Sequence, residues 1–359
     1  PSCRSSSAET ITIIRLETEK VIHLMYHGTA FAAGFVLDLI LGDPETWNHP
    51  VRRIGNLIQK LTDFFLNRGG GISDSAVRAR TKRKYGRLLV AAVLLISGGG
   101  TALLLMGAYT LHPWAGCALE GWLTYRLLAA RNLRDASMRV YRALQSGSLA
   151  DSRYAVSMIV GRDTTVLDET GVTKAAVETV AENTSDGVIA PMLYMALGGP
   201  VLGMMYKAVN TMYSMVGYRK DKYMDFGRAA ARLDDGVNFI PARISGLLMV
   251  AAAFLLGFSE RLHGSAPIYS GRRAFRIFLR DRRKHASPNA AHTEAACAGA
   301  LGVQLAGNAR YFGRMVEKPT LGEDLRPVVP ADIPRANRLM LGTAVLCECI
   351  CLGIMGLLL

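Results

Sequence analysis

Long apolar runs alternate with polar blocks along the chain. Leu24 to Leu41 carries one acid, Asp38, near its end, and Leu88 to Leu111 carries no charge. An α-helix needs roughly 20 apolar residues to cross a bilayer, so both runs are predicted as transmembrane helices. Three further segments are less regular: Trp114 to Ala130 contains Glu120 and Arg126, Gly187 to Tyr206 contains two prolines, and Ile244 to Phe258 is short for a span. Arg338 to Leu359 closes the chain as a last apolar helix. Four polar blocks separate these runs: Gly42 to Arg87, Asn132 to Asp186, Arg219 to Arg243 and Glu260 to Pro334. No internal repeat relates them, and Gly69 to Gly71 reads as a flexible loop tip. The pattern predicts an all-α fold, a polytopic integral membrane helical bundle with cytoplasmic helical excursions. Residues 1–23 form an N-terminal extension, and 24–359 form one membrane-embedded domain.

Composition supports this reading. Half of the 359 residues are hydrophobic even though Lys and Arg number 42, a combination expected of an integral membrane protein. The net charge of +13 is concentrated in Arg78 to Arg87, Arg126 to Arg142 and Arg272 to Lys284. Bases beside apolar spans are retained on the cytoplasmic side and meet anionic lipid there. These clusters lack interleaved stacking aromatics and any nucleic-acid motif, so membrane lipid is the expected partner and nucleic acid is not. With the clusters inside, Leu88 to Ala130 becomes a hairpin turning at His112-Pro113. Ile244 to Phe258 then has cytoplasmic bases on both flanks and is expected to be re-entrant or buried in the bundle. The N-terminus lacks the basic-then-apolar order of a cleavable signal. Six cysteines include no CxxC pair, and Cys347, Cys349 and Cys351 project to different sides of one helix, as packing residues do.

The polar residues inside or beside apolar sequence are the candidates for chemistry, because they are costly there. VTKAAVETVAEN, Val172 to Asn183, reads as a helix with Lys174, Glu178 and Glu182 on one face, followed by Asp186. A solvated face with a Lys174–Glu178 ion pair is the bland alternative. GRDTTVLDE adds Arg162 and Asp163 ahead of that helix, in an acid-rich neighbourhood suited to magnesium. Lys207, Asn210, Thr211, Ser214 and Tyr218 form a polar stripe on an apolar helix, which must face a cavity, a partner helix or water. FGRAAARLDDGVNFIPAR contains Arg228, Arg232, Asp234, Asp235, Asn238 and Arg243, either phosphate-gripping groups with cation-holding acids or an intrahelical salt-bridge lattice. SPNAAHTEAACAGALGV begins with a turn that can start a helix, and sets His292 and Glu294 on different helix faces. No P-loop, dinucleotide fingerprint or GxSxG elbow is present.

Taken in order, DLILGDPETWNHPVRRIG, GRDT, ETVAEN-SDGVIAP, YKAVNT-SMVGY, FGRAAARLDDGVNFIPAR, SPNAAHTEAACAGALGV and the Pro319 to Gly322 turn closely resemble the CbiB/CobD family of adenosylcobinamide-phosphate synthases, from about Asp38 to Gly322. The sequence departs from the family pattern at Tyr213, where an Asp is usual, and at Ala291 and Thr293, where Gly and Pro are usual. The resemblance implies a multi-pass protein of the cell (inner) membrane with its active site on the cytoplasmic side. It implies amide formation between adenosylcobyric acid and aminopropanol or its phosphate, with ATP as co-substrate and Mg2+ as cofactor. On that reading Glu178, Glu182, Asp186 and Lys207 are the catalytic candidates, and Asp163, Asp186, Asp234 and Asp235 the metal candidates. Lys207, Arg162, Arg228, Arg232 and Arg243 would hold phosphates. Asn183, Asn210, Asn238 and Asn289 would meet the amides around the corrin. A corrinoid membrane transporter and a non-catalytic AmpE-like membrane sensor are the alternatives, and a homo-oligomer is left open.

Overall fold

The computed structural model describes residues 3–42, 49–68, 74–217, 223–311 and 313–359, with side chains described from Val21 onward, Ser75 excepted. The Gly69 to Gly71 tip and Tyr218 lie outside the described residues. Among the described residues thirteen α-helices follow one another: α1 Cys3–Leu41, α2 Pro50–Arg68, α3 Ser75–Leu111, α4 Pro113–Leu127, α5 Ala130–Gln145, α6 Leu149–Ser157, α7 Glu169–Asn183, α8 Ala190–Met212, α9 Arg228–Val237, α10 Phe239–Leu262, α11 Gly271–Asp281, α12 Ala291–Leu301 and α13 Asp332–Leu357. Among the described residues five stretches are long and apolar enough to cross a membrane: Val21–Leu41, Ala76–Leu111, Glu169–Gly217, Phe239–Leu262 and Asp332–Leu357. Leu95, Leu103, Leu104 and Leu111 of α3 are exposed, which suits a helix whose outer face meets lipid tails.

The expected turn at His112-Pro113 is present. His112 ends α3 in an extended conformation, and its side chain caps α4 by accepting the Trp114 N–H, with Pro113 in the first turn where its missing N–H costs nothing. The basic run Arg78 to Arg87 is not a loop but the opening turns of α3, which starts at Asp74, whose carboxylate accepts from the Ala76 and Val77 N–H groups. At 15 residues, α4 is about 22 Å long, too short for a complete crossing. Ile244 to Phe258 belongs to the longer α10, and α11 runs antiparallel beside it, with Phe254 over Gly271 and Phe278 over Gly246.

The 49 residues of Glu169–Gly217 would be about 74 Å long as a straight helix, more than twice the thickness of a bilayer's apolar core. The chain resolves this by folding back. A π-helical turn at Thr184–Ile189 joins α7 to α8, and α8 breaks at Gly198 and Gly199, just before Pro200. Its two legs, 190–197 and 200–212, form a hairpin: the Tyr194 and Tyr206 rings stack with centroids 5.2 Å apart, and the Tyr206 hydroxyl donates to the Asp186 carbonyl at 3.0 Å. The tip is pinned by a buried polar group, in which His27 lies 2.5 Å from Glu120 and 3.2 Å from the Ala196 carbonyl, while Tyr109 donates to Glu120.

The all-α expectation holds for the bundle, with one addition. Residues 304–322 form two small antiparallel pairs, β1 Gln304–Ala306 with β4 Thr320–Gly322, and β2 Ala309–Tyr311 with β3 Arg314–Val316. Strands of three residues are too short to show a two-residue hydrophobic period, so the pattern missed them. They are tied to α11 through the fully buried Asp281, which accepts from the Gly322 N–H at 2.9 Å. Helix α12 is buried along its whole length, and the middle of α7 is too: Val172, Ala176, Val177 and Val180 are fully buried, whereas Glu169 and Thr170 at its start are exposed and Glu182 near its end is half-buried.

Candidate functional site

Because the middle of α7 is enclosed, Glu178 is buried and does not belong to a solvated face. Glu178 does not pair with Lys174. It accepts from the Arg162 guanidinium on one oxygen and from the Ala306 N–H, at 2.8 Å, on the other. Ala306 has a positive φ of 57°, a costly conformation for a residue with a Cβ, and it turns that N–H toward Glu178. Glu182 lies one turn further on, within electrostatic reach of Glu178, Arg162 and Lys318. Glu294 on α12 faces the same group, and burial together with the carboxylates of Glu182 and Glu178 pushes it well above the ordinary carboxylate range. Lys318 approaches from the β3–β4 connection, where its ammonium donates to the Tyr311 hydroxyl at 2.7 Å. Burial opposes the charge on Arg162, but the Glu178 carboxylate outweighs it and raises the guanidinium's affinity for its proton.

A second group continues from the first. Asp186, four residues after Glu182, interacts with Glu182, Asp234 and Lys207, and Lys207 also interacts with Asp38 at the end of α1. Asp234 is buried, and burial pushes its carboxyl up to about 6, with the Asn238 and Asn210 amides beside it. One of its oxygens, Oδ1, has no hydrogen-bond partner. The Tyr206 hydroxyl reaches the Asn238 Oδ1 at 2.8 Å as well as the Asp186 carbonyl. The result is a continuous polar seam, from Glu294 through Glu178 and Glu182 to Asp186, Lys207 and Asp234, inside an otherwise apolar bundle. Its members can exchange protons, bind a cation and hold an ammonium group.

The family model described as CobD/Cbib protein matches residues 31–340. The chain belongs to the CobD/Cbib family. Its curated relatives include the cobalamin biosynthesis protein CobD of Klebsiella pneumoniae subsp. pneumoniae, 44% identical over 316 residues, which cover 87% of this chain and 92% of the relative. The protein of the same name from Geobacter metallireducens is 46% identical over 315 residues, covering 88% and 92%. The cobalamin biosynthesis protein CbiB of Salmonella typhimurium is 44% identical over 320 residues, covering 87% and 92%. No solved structure matches.

The structure of this CobD/Cbib chain brings together Glu178, Glu182, Asp186, Lys207, Asp234, Asn210, Asn238 and Arg162, and sets other candidates apart. Asp163 is turned away from Asp186 and Asp234. It accepts from the Gly313 N–H at 2.7 Å, lies 4.0 Å from Arg310 and so docks the GRDT turn on the β2–β3 hairpin. Asp235 is half-buried, and its carbonyl accepts from the Asn289 amide at 3.0 Å. Arg228 and Arg232 are exposed on α9, and the expected salt-bridge lattice with Asp234 and Asp235 is absent among the described residues. Arg162 is committed to Glu178. Asn183 donates to the Thr179 carbonyl within its own helix, and Asn289 also accepts from Arg243. Among the described residues no group of three or more His, Cys, Asp or Glu side chains is arranged to hold a metal ion.

Sequence reasoning did not place Lys318, Asp38 or Glu294 in the site. Lys318 sits beyond an irregular segment with no helical spacing to relate it to α7. Asp38 was visible as the lone acid at the end of an apolar run, and Glu294 as an acid in an alanine-rich helix. Both were signals of buried charge.

Proposed function

We propose that this protein acts in cobalamin biosynthesis as an ATP-dependent ligase. It would join the free carboxylate of adenosylcobyric acid to (R)-1-aminopropan-2-ol O-phosphate, or to aminopropanol, with its active site facing the cytoplasm. The observation that carries the reading is the polar seam from Glu294 to Asp234, buried at Glu294, Glu178 and Asp234 and half-buried at Glu182, Asp186 and Lys207, in a chain whose relatives are named cobalamin biosynthesis proteins. With Glu178 paired to Arg162, Glu182 and Glu294 are the carboxylates of this group that would receive a cationic guest, and the ammonium of an aminopropanol is one.

In the reaction, an oxygen of the substrate carboxylate attacks the γ-phosphorus of ATP, and the bond to the β-phosphate breaks to release ADP. The amine nitrogen then attacks the acyl carbon of the mixed anhydride, and inorganic phosphate leaves with the electron pair of the C–O bond. Before that attack the ammonium must lose a proton, and Glu182, beside Glu178 and Glu294, would take it. Lys207 would lie against the transferring phosphoryl group, where a fixed positive charge lowers the barrier. Arg162 orients Glu178.

The magnesium ion expected with ATP fits the residues present. Its preferred donors are one or two carboxylates completed by phosphate oxygens and water, and Asp234 Oδ1 is a buried oxygen without a partner beside Asp186. Asp186 and Asp234 would hold the ion, which would neutralise phosphate charge there. The test is reconstitution of purified protein in detergent with adenosylcobyric acid, aminopropanol phosphate and Mg-ATP, following the corrinoid product by mass. Asp186→Asn and Glu182→Gln are expected to abolish product while leaving the fold intact. Intact wild-type protein that binds corrinoid yet forms no amide would refute the ligase reading, and wild-type rates in both variants would make the seam structural.

A further inference from the structure

Three arginines outside the carboxylate seam lie close together without a counter-charge. Arg243 comes from the first turns of α10, and Arg282 and Arg283 follow directly on α11. All three act electrostatically on the buried ring of His292, and none makes an ion pair among the described residues. Like charges gathered in this way repel, and no ion pair among the described residues offsets that cost.

Two of the three side chains are nevertheless held in place. The Arg243 guanidinium stacks over the Phe239 ring, 3.4 Å from its centroid, and donates to the Phe239 carbonyl and, at 3.3 Å, to Asn289 Oδ1. Arg282 lies over the Phe278 ring at 5.3 Å. Burial and the three arginines press His292 down to about 4, so the ring is neutral at neutral pH, and its Nδ1 lies 3.1 Å from the Asn289 carbonyl.

A second observation points to an anion at the same place. His292 is in the first turn of α12, an 11-residue helix with no side-chain cap at its N-terminus. Ala290 and Ala291 are buried there, and the Thr293 hydroxyl is buried without a partner. The positive end of the helix dipole favours negative charge there, phosphate above all, although the His292 N–H is already taken by the Asn289 carbonyl and the Asn289 N–H by the Ser287 hydroxyl. This turn divides two environments. On one side His292 faces the arginines, and on the other Glu294 faces Glu182, Glu178, Lys318 and Arg162.

We infer that Arg243, Arg282, Arg283 and the N-terminal turn of α12 form a phosphate-binding subsite that nothing in the carboxylate seam could replace. The chemistry it takes is a phosphate ester or anhydride. Resting on the ligase reading, its source is either the phosphate chain of ATP or the phosphate of the amine, bound so that the ammonium lies toward Glu294 and the phosphate toward the arginines.

The test is calorimetric binding to the full-length protein in detergent, comparing wild type with Arg282→Gln/Arg283→Gln and with Arg272→Gln, a control elsewhere on α11. The probes are ATP, aminopropanol phosphate, unphosphorylated aminopropanol and inorganic pyrophosphate. The double variant is expected to weaken a phosphorylated probe by about 100-fold, roughly tenfold per arginine, while Arg272→Gln stays at wild-type affinity. Loss confined to ATP and pyrophosphate identifies the nucleotide, and loss confined to aminopropanol phosphate identifies the amine. Unchanged affinities for every phosphorylated probe, or a wild-type protein that binds none of them, overturns the subsite. Binding is read without turnover, so failure to form the amide refutes the ligase and leaves this result standing.

Discussion

Replacing Gly199 with alanine strikes the tip of the hairpin that carries Lys207 and follows directly on Asp186. Gly199 has φ 59° and ψ −162°, a region that residues with a Cβ enter only at a cost of roughly 1–3 kcal/mol. The new methyl would also lie 3.0 Å from Glu120 Oε1. That oxygen is not free to step aside, because His27 holds it at 2.5 Å and Tyr109 donates to the other carboxylate oxygen. Relieving the contact weakens at least one of these bonds, about 1 kcal/mol more, so Gly199→Ala should lose on the order of 2–4 kcal/mol. The assay is reversible unfolding in mixed detergent, with Gly100→Ala as the reference. Gly100 sits inside α3 with nothing within 4 Å of its added Cβ, and alanine there should stabilise by about 0.5–1 kcal/mol. If Gly199→Ala unfolds at the same point as Gly100→Ala, the broken hairpin and its pinned tip are wrong.

Two further outcomes follow from the ion pairs. Glu178→Gln leaves the Arg162 charge, only 19% exposed, without its partner, and should cost about 3 kcal/mol in the same assay. An Arg162→Met/Glu178→Met double variant should recover most of that loss, and a double variant as unstable as the single one would refute the pair. Asp281 tests the anchoring of the strands: burial alone would raise its carboxyl, but bonds from Arg280, Lys284 and the Gly322 N–H outweigh burial and hold it at about 2, against an ordinary 3.8. A depressed folded value stabilises above the unfolded one, so this contribution is complete above about pH 4 and lost as the pH falls toward 2. It amounts to roughly 1–2 kcal/mol, because Arg280 and Lys284 are 43% and 42% exposed and partly screened. Asp281→Asn should lose that much at neutral pH and show a shallower acid limb; an acid unfolding profile identical to wild type would rule the linkage out.

Much of the bundle was legible because apolar runs without charge have few alternatives. The turn at His112-Pro113 was fixed by a proline that can begin a helix but not sit within one. What the pattern could not supply was enclosure. Lys174, Glu178 and Glu182 at four-residue steps look alike whether the helix lies on a surface or inside, and only α12, α13 and α5 packed around α7 decide that Glu178 meets Arg162. Asp163 and Asp186 were equally plausible ligands in one dimension. Tertiary folding gave the first to a β-hairpin and the second to the seam. Lys318, missed altogether, stands in a segment whose order is short antiparallel pairing.

The position of Asp186 shows how a distant break can set a local geometry. In a straight helix its carbonyl would bond four residues ahead. Here it lies in a π-helical turn, a departure that leaves backbone groups for other partners and recurs at functional sites. The partner is the Tyr206 hydroxyl, twenty residues on, which simultaneously holds Asn238 beside Asp234. Tyr206 can reach back only because the chain reverses at Gly198 and Gly199, and the reversal stays in place because Glu120 and His27 hold the tip. The polar group at the tip therefore acts on the seam through a rigid hairpin rather than by contact. A loss of turnover in Gly199→Ala that exceeds what its loss of folded protein explains is the expected consequence, since the hairpin can shift Asp186 relative to Asp234 without unfolding.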